Sequence, residues 1–282
     1  MDKPKWNISI TPKQNPFKLN LGEVLEYKDL VYLFVKRDFV AVYKQTVLGP
    51  FWHLIQPMLT AITLYIVFTR VAHMPIPSGV SPLIYYMSAV IIWNYFASCL
   101  NKSANIFLQN ASIFGKVYFP RITVPLSFLF SNAISFSFQL FFFFVIAGIT
   151  YFSGYTLHIQ PSIALMPVIL FVLGLQGISA GMIISAMTTK YRDLTYLVSF
   201  GVQLLMYLSP VIYTVQSLSP EIRSYMMFNP MAPFIELFRY SLTGVGLVDI
   251  RFVGISIAIT IVLLLSALVI FNKTEKDFID TI

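Results

Sequence analysis

The feature that most constrains this chain is a stretch from Ile122 to Thr189 that holds no Asp, Glu, Lys or Arg in 68 residues. A membrane helix needs about 20 apolar residues, so this stretch is too long for one crossing and long enough for two. Helix breakers cluster near its middle, at Ser153-Gly154 and at Gln160-Pro161-Ser162. The sequence therefore predicts two membrane spans that are divided at this point.

The rest of the chain fits the same class, because 57% of its 282 residues are hydrophobic and only 11% are charged. In soluble proteins about a quarter of the residues carry a charge. We predict an all-α polytopic membrane protein with six transmembrane helices between residues 51 and 271. Besides the two spans of the uncharged stretch, the expected spans are Phe51–Ala72, Leu83–Leu100, Leu194–Val215 and Phe252–Phe271.

Residues 29–48 predict an amphipathic helix that lies along the membrane surface. Its uncharged face carries Val31, Val35 and Phe39, while basic residues lie on the other side. Leu48-Gly49-Pro50 then turns the chain into the first span. An amphipathic helix on a soluble core is the alternative. The residues assigned to this interface helix are Lys36, Arg37, Tyr43 and Lys44.

The segments outside the spans are expected to serve different purposes. Residues 1–28 form a cytosolic lead-in and residues 272–282 a short cytosolic tail. Residues 216–251 are partly hydrophobic but interrupted by prolines and charges, so we predict short helices that enter the membrane without crossing it. Glu236 and Arg239 are three residues apart there and can pair on one helical face.

The distribution of basic residues predicts the orientation. With six spans, the side that holds both termini carries 15 Lys and Arg residues and the opposite side carries four. The positive-inside rule then places both termini in the cytosol. Because this asymmetry explains the net charge of +7, a nucleic-acid partner is not expected, whereas anionic membrane lipids are.

Several kinds of chemistry are disfavoured. The first five spans hold no acidic residue, which disfavours an ion-coupled carrier. No GxxxxGK[ST] loop is present to hold nucleotide phosphates. His53, His73 and His158 lie in separate segments and Cys99 is the single cysteine, so neither a catalytic nor a metal site is expected, and no cofactor is assigned to this chain.

Other features leave two interpretations open. Gly177 and Gly181 form a GxxxG pair, which marks either a close helix contact or a chance spacing. Polar and aromatic residues of the spans either line a conduit or serve ordinary roles in helix contacts and at the membrane interface. The candidate conduit residues are Trp52, Gln56, Trp93, Asn94, Ser98, Gln139 and Gln203.

A series of short motifs occurs in a particular order from about Tyr27 to the last span. They are Tyr43-Lys44-Gln45-Thr46-Val47-Leu48-Gly49 with Trp52 and Gln56-Pro57, Phe68 to Ala72, Lys116-Val117-Tyr118-Phe119-Pro120-Arg121 with Pro125, Tyr191-Arg192-Asp193-Leu194, Ser209-Pro210-Val211-Ile212-Tyr213, and Asn229-Pro230 with Glu236 and Arg239. In this order the chain resembles the permease subunits of the ABC exporters for O-antigen, capsular polysaccharide and teichoic acid.

The resemblance implies a homodimer in the bacterial inner membrane that carries two cytosolic ATPase subunits, which would hold ATP and Mg, and that moves a lipid-linked polysaccharide outward. It also implies short gate helices before the last span. The outer-gate residues are then Asn229, Pro230, Glu236 and Arg239. The expected ATPase-coupling residues are Ile113, Phe114, Lys116, Val117, Tyr118, Arg192 and Asp193.

The sequence is compatible with more than one cargo and with other functions. O-antigen is the favoured cargo, with teichoic acid or capsular polysaccharide as the alternatives. A membrane-embedded glycosyl or acyl transferase should gather carboxylate or His groups at one interface, and a non-catalytic scaffold or channel should not bind an ATPase. For the coupling loop at Gln109–Tyr118, the alternative is a loop that folds back on its own chain.

Overall fold

The computed structural model describes Gly22 and residues 26–44, 47–117 and 119–279, without the side chains of residues 42, 43, 50 and 276–279. This part of the chain is helical and contains no strand. Most of the lead-in therefore lies outside the described residues, as do Tyr118, the side chain of Tyr43 and most of the tail's side chains. The predictions made for them stay predictions.

The helices are bounded as follows. The first half of the chain holds α1 at Lys28–Tyr43, α2 at Trp52–Leu64, α3 at Pro82–Ala104, α4 at Ile106–Phe114 and α5 at Thr123–Phe152. The second half holds α6 at Met166–Lys190, α7 at Leu194–Tyr207, α8 at Pro220–Met227, α9 at Ala232–Thr243 and α10 at Ile250–Ile279. A 3-10 turn at Gly49–Phe51 precedes α2, which continues as a π-helix over Tyr65–Val71, and 3-10 turns also occur at Pro161–Leu165 and Val215–Ser217.

The predicted membrane class is confirmed by helix length and apolarity. Among the described residues, five helices are long and apolar enough to cross a membrane, and α7 is a shorter apolar helix. The uncharged stretch divides where the breakers predicted, because α5 ends at Phe152 and the next helical turn begins at Pro161. Gly49 has a φ of 49°, as expected for the turn into the first span.

The helix α3 forms the centre of the bundle. It packs against α6 most extensively, and also against α2, α5 and α9. The contact with α6 is close because a Cβ at Gly177 would lie 2.8 Å from the Phe96 carbonyl oxygen and one at Gly181 would lie 2.4 Å from the Leu100 carbonyl oxygen. The GxxxG pair therefore marks a helix interface within one chain.

The fifth predicted span is shorter than expected. The sequence predicted a helix over Leu194–Val215, but α7 ends at Tyr207. At 1.5 Å per residue its 14 residues reach about 21 Å, which is less than a hydrocarbon core of about 30 Å. Pro210 disfavours a helical conformation at Ser209, so the chain leaves the helix and continues through turns to Ile212.

The helix α1 packs against α5 and does not belong to the long apolar helices. It buries Val31 and Phe34, while Lys36 is exposed. The Phe34 ring contacts Phe119 with ring centroids 5.8 Å apart. The buried face is thus rotated slightly from the predicted one, because Phe34 finds an aromatic partner in the loop before α5.

Candidate functional site

The bundle has two ends with different polar contacts. One end, called the α1 end, holds α1, α4, the start of α5 and the end of α10, which are joined through contacts of Arg37 and Arg121. The other, called the far end, holds α8 and α9 with the start of α10. There, Leu247 donates its backbone N–H to Glu236 at 2.8 Å. The predicted gate residues all lie at the far end.

The predicted pairing of Glu236 with Arg239 is confirmed. Arg239 Nη1 lies 2.5 Å from Glu236 Oε1, and both side chains are buried. The Arg239 guanidinium also lies over the Tyr85 ring, 4.2 Å from its centroid. Since Tyr85 belongs to α3, this pair connects α9 to the central helix of the bundle.

Arg239 has a second role, which follows from the early end of α7. Arg239 Nη2 donates to the Pro210 carbonyl oxygen at 2.6 Å. The Asn229 amide nitrogen donates to the Leu208 carbonyl oxygen at 3.2 Å. Helix ends leave carbonyl groups without partners, and away from water each unpaired group is costly. The side chains of α9 and of the turn before it therefore compensate the broken end of α7.

Gln176 of α6 makes polar contacts that were not predicted from the sequence. Its amide nitrogen donates to the Pro230 carbonyl oxygen at 3.2 Å and to Thr260 Oγ1 at 2.8 Å. It also donates to Ser256 Oγ at 3.1 Å. The only signal available in the sequence was a lone amide in an uncharged span. Gln176 connects α6, the Asn229-Pro230 turn and α10.

At the α1 end, Arg121 is buried where three segments meet. Its guanidinium lies 3.5 Å from the Glu275 carboxylate in α10 and 5.0 Å from the centroid of the Phe114 ring in α4. Burial lowers the pKa of Arg121 and Glu275 opposes this shift. The contacts hold the loop between α4 and α5 against the last helix.

The predicted coupling residues divide into a buried and an exposed group. Phe114 is 5% exposed and contacts the rings of Phe107 and Phe119, so it belongs to the core of its own chain. Ile113 is partly buried, while Val117 is 60% exposed and Lys116 is also exposed. Arg192 and Asp193 are exposed in the turn between α6 and α7.

The basic residues of α1 differ in their surroundings. Lys36 and Lys44 are exposed. Arg37 forms an ion pair with Asp38 at 2.9 Å and donates to the Asn110 side chain in α4 at 3.3 Å. Arg37 therefore holds α1 against its own chain and is only partly available to a partner.

The candidate conduit residues also divide. Trp52, Gln56, Ser98 and Gln203 are exposed and Asn94 is partly buried. Trp93 and Gln139 are buried within the chain, where Trp93 packs on Phe96 with ring centroids 5.5 Å apart. In this conformation the two buried residues do not line an open path, whereas the exposed ones remain candidates.

The long apolar helices are typical of a polytopic membrane protein. The family model of the ABC-2 type transporter matches residues 29–243, and the chain belongs to this family. It is a transport subunit and not a catalytic enzyme of its own.

Individual relatives are similar over nearly the whole chain. Two proteins of Klebsiella pneumoniae, each named O-antigen export system permease protein RfbA, are 27% and 29% identical over 264 residues, which cover 93% of this chain and 96% of each relative. A protein of Myxococcus xanthus with the same name is 26% identical over 92% of this chain and 98% of its own length.

Proposed function

We propose that this chain is the transmembrane subunit of an ATP-driven exporter of lipid-linked polysaccharide, with O-antigen as the cargo. The similarity to three permeases named for O-antigen export, over more than nine-tenths of each chain, carries this proposal. Teichoic acid and capsular polysaccharide require the same transport mechanism and are the alternative cargoes. ATP and Mg belong to a separate ATPase subunit, since the sequence has no phosphate-binding loop.

We infer a homodimer that binds two ATPase subunits. Support comes from α7, where Tyr196, Phe200, Gln203 and Tyr207 recur at helical spacing and are all exposed. A face that meets only lipid needs no amide, and Gln203 gains a partner or water at an interface between two copies. Gln56 of α2 is also exposed, so an interface between two copies at the start of the first span would likewise give its amide a partner or water.

The proposed surroundings are a bacterial inner membrane with the α1 end in the cytosol. The excess of basic residues on that side supports this orientation. Ser219 is exposed at the far end, and Cys99 is fully buried. A cysteine at Ser219 is therefore expected to react with an impermeant thiol reagent added outside intact spheroplasts, while the wild-type chain stays unlabelled. Labelling of the Ser219→Cys variant only after lysis contradicts the orientation.

The function is tested by purification and by deletion. The tagged chain is expected to retain an ATPase in an equal molar amount, and deletion of its gene is expected to leave polysaccharide inside the cell and remove it from the surface. A chain that copurifies with no ATPase contradicts the exporter proposal and favours a channel or scaffold. Surface polysaccharide that stays at the wild-type level contradicts the proposed cargo.

A further inference from the structure

Lys102 lies in the last turn of α3, where its side chain packs against α5. Its Nζ is 3.4 Å from Ser131 Oγ and 5.9 Å from the centroid of the Phe128 ring, and both of these residues belong to α5. The side chain is neither fully buried nor fully exposed. The Lys102 side chain is thus held against α5 and is only partly exposed.

The charge of Lys102 is not balanced by a carboxylate of its own. Among the described residues, no ion pair within 4.0 Å involves Lys102. Asp38 interacts electrostatically with Lys102, but its Oδ1 is already bonded by Arg37 at 2.9 Å and 3.1 Å. Two cations therefore share one carboxylate, and the Lys102 side chain is only partly exposed. A partly buried charge of this kind is stabilised by a counter-ion.

The surface next to Lys102 is aromatic. Phe138 and Phe142 follow Ser131 on the same face of α5 at helical spacing. The His53 ring stacks on Phe138 with ring centroids 6.1 Å apart, and Phe51 contacts Phe142 at 5.9 Å. Phe51 is 57% exposed. Phe39 of α1 also stacks on Phe138, with ring centroids 6.4 Å apart, so these rings form an aromatic cluster between α1, α2 and α5. A molecule that places an anion at Lys102 can therefore pack its apolar chain against the exposed part of this cluster, at Phe51.

We propose that Lys102 and Arg37 form a binding site for a lipid phosphate. Lys102 lies two residues before the end of α3, at the level where a membrane helix meets the headgroups. Phosphate is the common anion at that level, and ammonium and guanidinium groups both bind it. Anionic phospholipids of the bilayer and the lipid anchor of the saccharide present the same chemistry. Binding of the lipid anchor rests on the proposed function, whereas binding of a bilayer phospholipid does not.

The test measures lipid retention by native mass spectrometry and thermal stability of the full-length chain. The protein is released from nanodiscs of phosphatidylcholine, with phosphatidylglycerol or a polyprenyl phosphate added. The wild-type chain is expected to retain one phosphate lipid per chain and to melt at a higher temperature with it. Lys102→Gln is expected to weaken retention about fivefold, and Lys102→Arg to preserve it. Arg37→Gln supplies a second variant should Lys102→Gln not fold.

Lys190→Gln is the matched control. Lys190 ends α6 beside Tyr191 and is exposed, so its loss is expected to leave retention unchanged. Lipid retention by Lys102→Gln and Arg37→Gln that equals wild-type retention overturns the site. A loss of retention in Lys190→Gln as large as that in Lys102→Gln overturns it as well. Retention of phosphatidylglycerol alone identifies a bilayer lipid site, and stronger retention of the polyprenyl phosphate identifies the anchor of the cargo. A failure of the proposed cargo leaves the phosphatidylglycerol result intact.

Discussion

Arg121 and Glu275 join the loop before α5 to the C-terminal part of the last helix, although they lie 154 residues apart in sequence. Arg121 donates to the Glu275 backbone oxygen at 3.2 Å, and its Nε lies 3.5 Å from the carboxylate. The stacking of Phe107 on Phe271, with ring centroids 5.0 Å apart, supports the same contact. The loop before α5 is therefore bonded directly to the last helix.

Replacement of Arg121 by Lys tests this connection. Lys keeps the charge but lacks the planar guanidinium fork whose two Nη atoms donate to Glu275 and to the Phe114 carbonyl oxygen, so we expect stability to fall by about 1.5–3 kcal/mol. The measurement is thermal unfolding of the purified chain in detergent. Arg192→Lys, at an exposed position, is the control and is expected to have no effect. An unchanged melting temperature in Arg121→Lys contradicts the connection.

Gly181→Ala tests the close approach of α3 and α6. The added Cβ would lie 2.4 Å from the Leu100 carbonyl oxygen and 2.9 Å from the Ala104 nitrogen, which are backbone atoms that cannot rotate away. We expect a loss of about 1–3 kcal/mol in the free energy of unfolding. Gly201→Ala is the control in α7, where a Cβ meets nothing within 4 Å and stability should stay equal or rise. Equal melting temperatures for Gly181→Ala and Gly201→Ala would contradict the close packing of α3 and α6.

Glu236→Gln tests the buried pair at the far end. The change leaves the Arg239 charge buried without its carboxylate, and breaking such a pair typically costs about 3–5 kcal/mol. Yield and melting temperature of the purified protein measure the loss. Asp249→Asn breaks the pair with Arg251, whose side chain is exposed, and is expected to be tolerated because exposed pairs contribute little. Tolerance of both changes would show that the buried pair does not hold α9 in place.

Val117→Ala tests the coupling surface. Val117 is 60% exposed at the α1 end, and loss of a contact residue there is expected to lower ATPase association about fivefold, or about 1 kcal/mol. The measurement is the amount of ATPase retained by the tagged chain, with Val248→Ala at the far end as the control. Phe114→Ala is expected to lower stability by about 3–5 kcal/mol instead, because Phe114 is buried. If a Lys116→Ala/Val117→Ala double variant retains as much ATPase as the wild type, this loop is not the ATPase contact.

The long spans were predictable because length and apolarity are local properties of the sequence. The break between α5 and α6, the turn at Gly49 and the pairing of Glu236 with Arg239 depend on neighbours within a few residues, so they were predictable as well. These features needed no knowledge of tertiary contacts.

The features that the sequence did not reveal depend on distant partners. Pro210 was visible, but the side chains that compensate the end of α7 come from Asn229 and Arg239. The sequence alone predicted that Phe114 is an exposed anchor in a polar loop. In the structure, Phe114 packs against the rings of Phe107 and Phe119. The three contacts of Gln176 likewise lie 54 to 84 residues away in sequence.

We propose that this chain, driven by an ATPase, moves a lipid-linked polysaccharide across the membrane. The direct measurement uses proteoliposomes that contain the purified chain with its ATPase and a fluorescent lipid-linked polysaccharide on the ATPase side. Transport is followed as the loss of access to an impermeant glycosidase on that side. We predict an ATP-dependent loss of access that disappears when the ATPase is inactivated by substitution. A loss of access that is independent of ATP, or full access that persists during ATP hydrolysis, contradicts ATP-driven export by this chain.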